Sequence, residues 1–568
     1  MQEYTVTLNN FSDKADFCTQ MKESSGSGSI PSRACTCNLE RPTSRNQVFT
    51  LSDAEATELL NDSRVKACRP KGELAAELYW DESQTGKWDK FPTEAADKNW
   101  GIKRLTDGQQ TAGWGNGGTN EITSTLNTTS SGKNVDVIIC DTHMNFDHPE
   151  FRENPDGTGN LRSQQFNWFQ YSAALGYSGN TAANYVYTGD TDPHGTHVAG
   201  TVAGNTQGWA RDANIYNVSF RSNAGGGNGI TGIYWSNVVF EYIRYFHNNK
   251  PINAATGRRN PTIVNNSWGA YTFDTNALLA NISEVKYRGV TLSLVGMTDA
   301  QKATELQARR IPVLSSAYAG SIPYNSDRLT RIGKRIPAYD ADIEDAMGDG
   351  VIFIGSAGNS YLPIDRSGGN DYANMIVHNG TAYECAQGSS PGNTETSNGN
   401  SISVGAIAAY VTENKTNFSN CEERVDVWAP GSWIMSGVYG PSSGYNNEKP
   451  DPRDSNFYVA AAGGTSMASP QVAGLVACAA EQYPNMRQTD ATQYVIEASK
   501  SSQITTTNEG MVDTPYTDLG DSNNRYVSYV YKRPQSGTIF PHDNHGNRVS
   551  TTNGVKYPRV NSVVTKTA

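Results

Sequence analysis

A run of about 18 apolar residues, the length that crosses a membrane, is missing from all 568 residues, and the opening MQEYTVTLNNFSDKADF has no basic segment followed by an apolar one. Neither a membrane span nor a secretory leader is therefore recognised. Location stays open between an intracellular, an externalised and a particle-associated chain. A surplus of Lys and Arg is missing too. The net charge of -11 argues against nucleic acid or anionic membrane as a partner, since both attract clustered cations. Cysteine is sparse. Of eight, Cys18, Cys35, Cys37 and Cys68 fall in the first 70 residues, and Cys35 and Cys37 are spaced CxC with no His beside them. That spacing favours thiols or disulfides over a metal centre. Cys140 in VDVIIC and Cys478 in GLVACAA read as small buried residues, and Cys385 and Cys421 are left open as a pair. What is present is an apolar share of 36%, which over this length can bury a large core with one or two smaller units attached.

The first 80 residues alternate elements. EYTVTLN and RNQVFTLS have strand periodicity, DKADFCTQMKES and DAEATELLNDSR read as short helices, the second capped at Ser52/Asp53, and VKACRPKGELAAELYW returns to an extended pattern. Residues 81–98 are polar and charged, as a linker would be. From residue 134 onward, VDVIIC, NIYNVSF, PTIVNNSWG, GVIFIGSAGN, SISVGAIA and RVDVWAPG are short apolar runs, each followed by a Gly-, Asn- or Ser-rich turn. Such runs, interleaved with helical segments, predict an α/β fold with a parallel sheet flanked by helices. Ligands then bind at the carboxyl ends of the strands. In a polar insertion over about 285–340 the segment DAQKATELQARR predicts a helix, and the tail over 511–568 is strand-like and Tyr-rich.

Three strand ends carry unusual polar residues. VDVIIC runs into Asp141, TDPHGTHVAGTVAG offers His194 and His197, and AAAGGTSMASPQVAG sets Ser466 at a helix start. A hydroxyl nucleophile needs a base, and an imidazole base needs a carboxylate to fix its tautomer. Taken singly, each residue reads as a cap, a turn or a structural group. Taken together and in this order, DTHMNFDHPEF, HGTHVAGTVAG and GTSMASPQVAG resemble the subtilases, the subtilisin-like and proteinase-K-like serine peptidases.

The resemblance implies a subtilisin-like sheet and an Asp141–His194–Ser466 triad. It implies that Asn359 of GSAGN stabilises the oxyanion beside the backbone N–H of Ser466. His197 and His148 are then supports. The substrate is a polypeptide lying between Gly226 and Gly227 on one side and Ser267, Trp268 and Gly269 on the other, with Trp268 favouring apolar or aromatic residues. No cofactor is needed for the chemistry. Asp426 matches a position that holds a structural calcium in some relatives. The sequence departs from the family at Asp141-Thr142-His143, where Gly usually stands in place of His143. Residues 1–80 resemble an inhibitor-like propeptide, so the chain is expected to be a zymogen cut within 81–98, with a peptidase domain over 99–510. The other class of function is a structural or binding component of a viral particle or surface assembly that keeps the fold.

Overall fold

The structure is a computed structural model, and it describes residues 1–23, 33–39, 45–70, 100–107, 130–176, 192–219, 233–271, 278–311, 313, 329, 332–393, 399–409, 414–441, 443–501, 504 and 525–526. These fall into two compact units, one within Met1–Asp81 and the other within Glu82–Arg559.

In the first unit, β1 (Gln2–Leu8) lies between β3 (Asn46–Leu51) and β4 (Val65–Pro70) in an antiparallel sheet, with β2 (Cys37–Leu39) outside β3. Alternate residues of β1, Tyr4, Val6 and Leu8, are buried against Phe17 and Met21 of α1 (Lys14–Lys22) and Leu59 of α2 (Asp53–Leu59). Ser52 begins α2 through a reciprocal pair, its hydroxyl accepting from Glu55 N–H while Glu55 accepts from Ser52 N–H. β2 had no counterpart among the sequence expectations.

In the second unit, α3 (Trp100–Asp107) packs Trp100, Ile102 and Leu105 into the main core. The chain then enters a sheet whose seven parallel strands run in the order β15-β14-β11-β8-β5-β7-β6. In chain order these are β5 (Asp136–Asp141), β6 (Ser163–Gln165), β7 (Asn214–Ser219), β8 (Thr262–Asn266), β11 (Ile352–Ser356), β14 (Ile402–Ile407) and β15 (Val427–Pro430). All residues of β5, β8, β11, β14 and β15 are buried, which is why their apolar residues come in short runs rather than alternating ones. The chain begins at β5, moves to one edge, then crosses to β8 on the other side. The carboxyl ends of β5 and β8 therefore flank the reversal point, where such sheets bind ligands.

Helices cover both faces. Val198 and Val202 of α4 (His194–Ala203) and Val472 and Val476 of α8 (Thr465–Gln482) share one core; Phe240 and Ile243 of α5 (Ile233–Asn249) and Ile343 of α7 (Pro337–Asp349) fill the other. The insertion folds as a separate antiparallel sheet, β10-β9-β12-β13, in which β9 (Ile282–Tyr287) and β10 (Val290–Ser293) are joined by β12 (Met375–His378) and β13 (Thr381–Glu384). It thus draws on residues well beyond the expected limit near 340. Its helix α6 (Asp299–Gln307) is capped by Thr298. A third sheet sets β18 (Asp454–Ala462) between β16 (Ile434–Val438) and β17 (Asn446–Asp451). α9 (Gln488–Ala498) follows α8, and β19 (Lys500–Ser501) and β20 (Arg525–Tyr526) extend the main sheet, so part of the expected tail joins it. Among the described residues no helix is long and apolar enough to cross a membrane.

Candidate active site

Asp141 ends β5 fully buried. Its Oδ1 accepts the N–H of Thr142 at 2.7 Å and lies 2.6 Å from Nδ1 of His194. A carboxylate only accepts, so the imidazole carries its proton on Nδ1 and presents the lone pair of Nε2. His194 is the first residue of α4 and its side chain is 26% exposed. Asp192 Oδ1 accepts its N–H at 3.0 Å, satisfying an orphan donor of the first turn. The next residue, Gly195, donates to the Thr142 hydroxyl at 2.7 Å, and a Cβ there would stand 2.2 Å from the Thr142 carbonyl oxygen. The missing side chain is what lets helix and strand end meet.

Ser466 is the second residue of α8, after Gly464 at φ 156°. Its hydroxyl donates to the carbonyl of Ser267 at 3.0 Å, and its own carbonyl accepts from the Ser267 hydroxyl at 2.9 Å. Pro470 explains the second contact. It lies inside the helix and has no N–H for the carbonyl four residues back, which is that of Ser466. The Ser267 hydroxyl fills the gap, and Asn265 Nδ2 and Ser469 Oγ, each at 2.9 Å, hold it in place.

Asn359 follows β11. Its Oδ1 accepts both the N–H and the hydroxyl of Thr465, at 2.9 and 2.7 Å. Those two donors fix which end of the amide is oxygen, leaving Nδ2 as the end turned away, 3.3 Å from where a Cβ on Gly464 would stand. The Thr465 hydroxyl also accepts Gly358 N–H at 3.1 Å, locking this turn to α8.

Ser267, Trp268 and Gly269 continue from β8. Ala270 donates to Ser389 O and accepts from Lys334 N, both at 2.9 Å, so one edge of the segment is occupied. The Trp268 carbonyl accepts from the Ser390 hydroxyl at 3.2 Å. Trp268 is partly buried, edge-to-face with Tyr339 at 6.2 Å. A Cβ on Gly269 would meet Ser389 Oγ at 2.5 Å. Gly226 and Gly227 lie outside the described residues.

The other histidines have structural contacts. His197 is fully buried, and Nε2 donates to Ile434 O at 2.9 Å and Ala460 O at 3.2 Å; burial pulls its pKa to about 3 despite those carbonyls. His148 accepts Glu150 N–H at 3.2 Å and donates to Tyr458 O at 2.9 Å, and burial lowers its pKa as well. His143, where the family usually has Gly, is buried edge-to-face with Phe146 at 5.3 Å. No disulfide joins Cys385 and Cys421.

Asp426 precedes β15, at the amino end of the sheet and so away from the triad residues. Its Oδ1 accepts from Arg366 at 2.7 Å, and its Oδ2 accepts from Arg424 at 2.8 Å and from Ser403 N–H at 2.8 Å. Two guanidinium groups on one buried carboxylate repel a further cation, so these residues do not fit calcium. Among the described residues no group of three or more His, Cys, Asp or Glu could hold a metal ion.

Asp141, His194, Ser267, Asn359 and Ser466 thus gather at the carboxyl ends of β5, β8 and β11. Thr142, Asp192, Asn265 and Thr465, which anchor them, were not singled out from the sequence: Thr142 and Thr465 act on residues brought near by folding, Asp192 on a backbone N–H, and Asn265 on the Ser267 hydroxyl two residues on. A subtilisin-like protease of Coccidioides posadasii (strain C735) is 31% identical over 182 residues, 31% of this chain and 37% of that protein. The subtilisin-like serine protease pepC of Aspergillus niger is 25% identical over 77% of this chain and 58% of that protein. The chain spans about half the length of the curated relatives it matches. A solved cold-adapted subtilisin-like serine proteinase, 19% identical with a TM-score of 0.42, aligns over 76% of this chain and 99% of its own. The family model described as the subtilase family matches residues 132–522, well over half of the chain and a span that includes all five gathered residues, and the chain belongs to that family.

Proposed function

We propose that the chain is a serine endopeptidase that cleaves polypeptides through an acyl-enzyme. Ser466 attacks the carbonyl, His194 takes the hydroxyl proton at Nε2 and returns it to the leaving amine, and Asp141 holds the imidazole and supports its positive form. The oxyanion is met by Nδ2 of Asn359 and the N–H of Ser466 at the start of α8. The observation that carries the reading is the pair of fixed polarities. Asp141 Oδ1 at 2.6 Å orients His194 for base chemistry, and Thr465 orients Asn359 so that its donor end is free. The peptide pairs along the open edge of Ser267–Gly269. Residues 1–80 act as an intramolecular inhibitor, removed by a cut within 81–98.

A fluorophosphonate probe tests this. Stoichiometric labelling at Ser466, lost in Ser466→Ala together with peptide hydrolysis, is the expected result. Hydrolysis that persists in Ser466→Ala overturns the assignment, and a wild-type chain that neither labels nor cleaves turns the reading towards a scaffold.

A further inference from the structure

Arg453 stands between β17 and β18 with its side chain only 2% exposed. Burial works against its charge, but Glu150 and Asp451 outweigh that and raise its pKa. All five of its N–H donors meet oxygen. Nε donates to Asp451 Oδ1 at 2.8 Å; Nη1 donates to Pro155 O at 3.2 Å and Asn205 Oδ1 at 2.8 Å; Nη2 donates to Glu150 Oε1 and Asp451 Oδ2, each at 2.6 Å. Two carboxylates, one amide oxygen and one carbonyl oxygen surround this one buried side chain, and oxygens of these types are the ligands a hard divalent cation takes. Here a guanidinium takes them.

The cage joins three stretches of chain. Glu150 lies in the short turn Pro149–Phe151 that follows Asp141. Asn205 lies just after α4, where Glu150 also accepts Thr206 N–H at 3.1 Å, Gln207 N–H at 3.0 Å and the Thr206 hydroxyl. Burial would push the Glu150 carboxyl up, but Arg453 and Thr206 hold it at about 2. Arg453 itself leads into β18, which runs to the glycines before Ser466. The stretches that carry Asp141, His194 and Ser466 thus share one ionic knot. The two arginines on Asp426 answer a carboxylate in the same way.

We propose that Arg453 is the chain's own cation, clamping the segments that carry Asp141, His194 and Ser466 in place of a divalent metal, and that removing it turns its cage into a calcium site. Arg453 acts on the fold and not on the reacting atoms; any bearing on catalysis rests on the peptidase reading, whereas the exchange of cations does not. Without the guanidinium, two buried carboxylates face each other uncompensated, and a doubly charged ion restores the balance.

The test uses the full-length chain, as wild type, Arg453→Ala and Arg453→Lys, melted in chelator and in millimolar calcium, with terbium luminescence as a direct reading of binding. The wild type is expected to melt at the same temperature in both. Arg453→Ala is expected to melt roughly 5 °C lower or more in chelator, to recover much of that loss in calcium, and to bind terbium saturably beyond any wild-type signal. An unchanged melting temperature in Arg453→Ala overturns the clamp. A loss that calcium does not restore, with no added terbium binding, overturns the cation exchange. Where Arg453→Ala fails to fold in chelator, folding in calcium supports the proposal. Failure in both passes the decision to Arg453→Lys, whose three donors cannot reach all five oxygens: an intermediate melting temperature supports the fit and a wild-type one overturns it. A wild type without peptidase activity would refute the functional reading and leave these melting and terbium results standing.

Discussion

The amide of Asn359 shows how much chemistry depends on which end of a side chain is held. Thr465 binds only the oxygen end, so in the proposed mechanism Asn359→Ala removes a donor to the oxyanion. A fall in kcat of about 10²–10³-fold, on the order of 3 kcal/mol, with KM little changed is expected. Thr465→Val deletes one of the two anchors and keeps the donor, so a smaller loss, roughly 10-fold in kcat, is expected from the same steady-state assay; a rise in KM alone would instead mark a ground-state contact. Asp141, His194, Asn359 and Ser466 could be singled out from the sequence because each stands in a distinctive motif. Their anchors could not, since Thr465 and Thr142 are ordinary threonines until folding brings Asn359 and Gly195 to them. His197 carries a pH prediction. It titrates near 6.5 in an unfolded chain but at about 3 in its buried site. Between those values the unfolded chain holds the extra proton, so stability present at neutral pH is lost as pH falls through 6.5. Melting temperatures measured from pH 7 to 4 should drop, with a shallower slope in His197→Gln, whose amide can still donate to Ile434 O.

Strands β5, β8, β11, β14 and β15 were readable because burial on both faces favours short apolar runs without alternation. β6 has only three residues, too few to show a period, and its pairing with β7 is decided by the sheet. The β9–β12 pairing joins residues near 285 to residues near 376, and no local pattern announces such a partner. α4 sits against the end of β5 because Gly195 has no Cβ, and the nearest obstacle is a backbone carbonyl rather than a flexible side chain. Gly195→Ala therefore has to move the helix or the strand, and either shift lengthens the contact between His194 and Asp141. Destabilisation of a few kcal/mol and a loss of kcat beyond 10²-fold are expected, with KM changing less. A variant with wild-type melting and turnover would show that the approach is looser than the 2.2 Å obstacle implies.

At the scale of the molecule, two compact units with separate cores occupy one chain. The small unit has a hydrophobic core of its own, built from β1, β3, β4 and the two helices, and it contains none of the triad residues. A unit with its own core can keep its shape apart from the peptidase domain, as the proposed inhibitor requires. The zymogen reading makes Ser466 responsible for maturation as well as for turnover. If the cut within 81–98 is made by the chain's own active site, wild-type protein held under activating conditions should lose its first residues and Ser466→Ala should stay at the full 61.6 kDa. N-terminal sequencing of the active form locates the cut, and mixing active wild type with Ser466→Ala separates cleavage within one molecule from cleavage between molecules. An active wild-type chain that still begins at its original terminus would end the processing idea and leave the triad assignment to the probe and the Ser466→Ala variant.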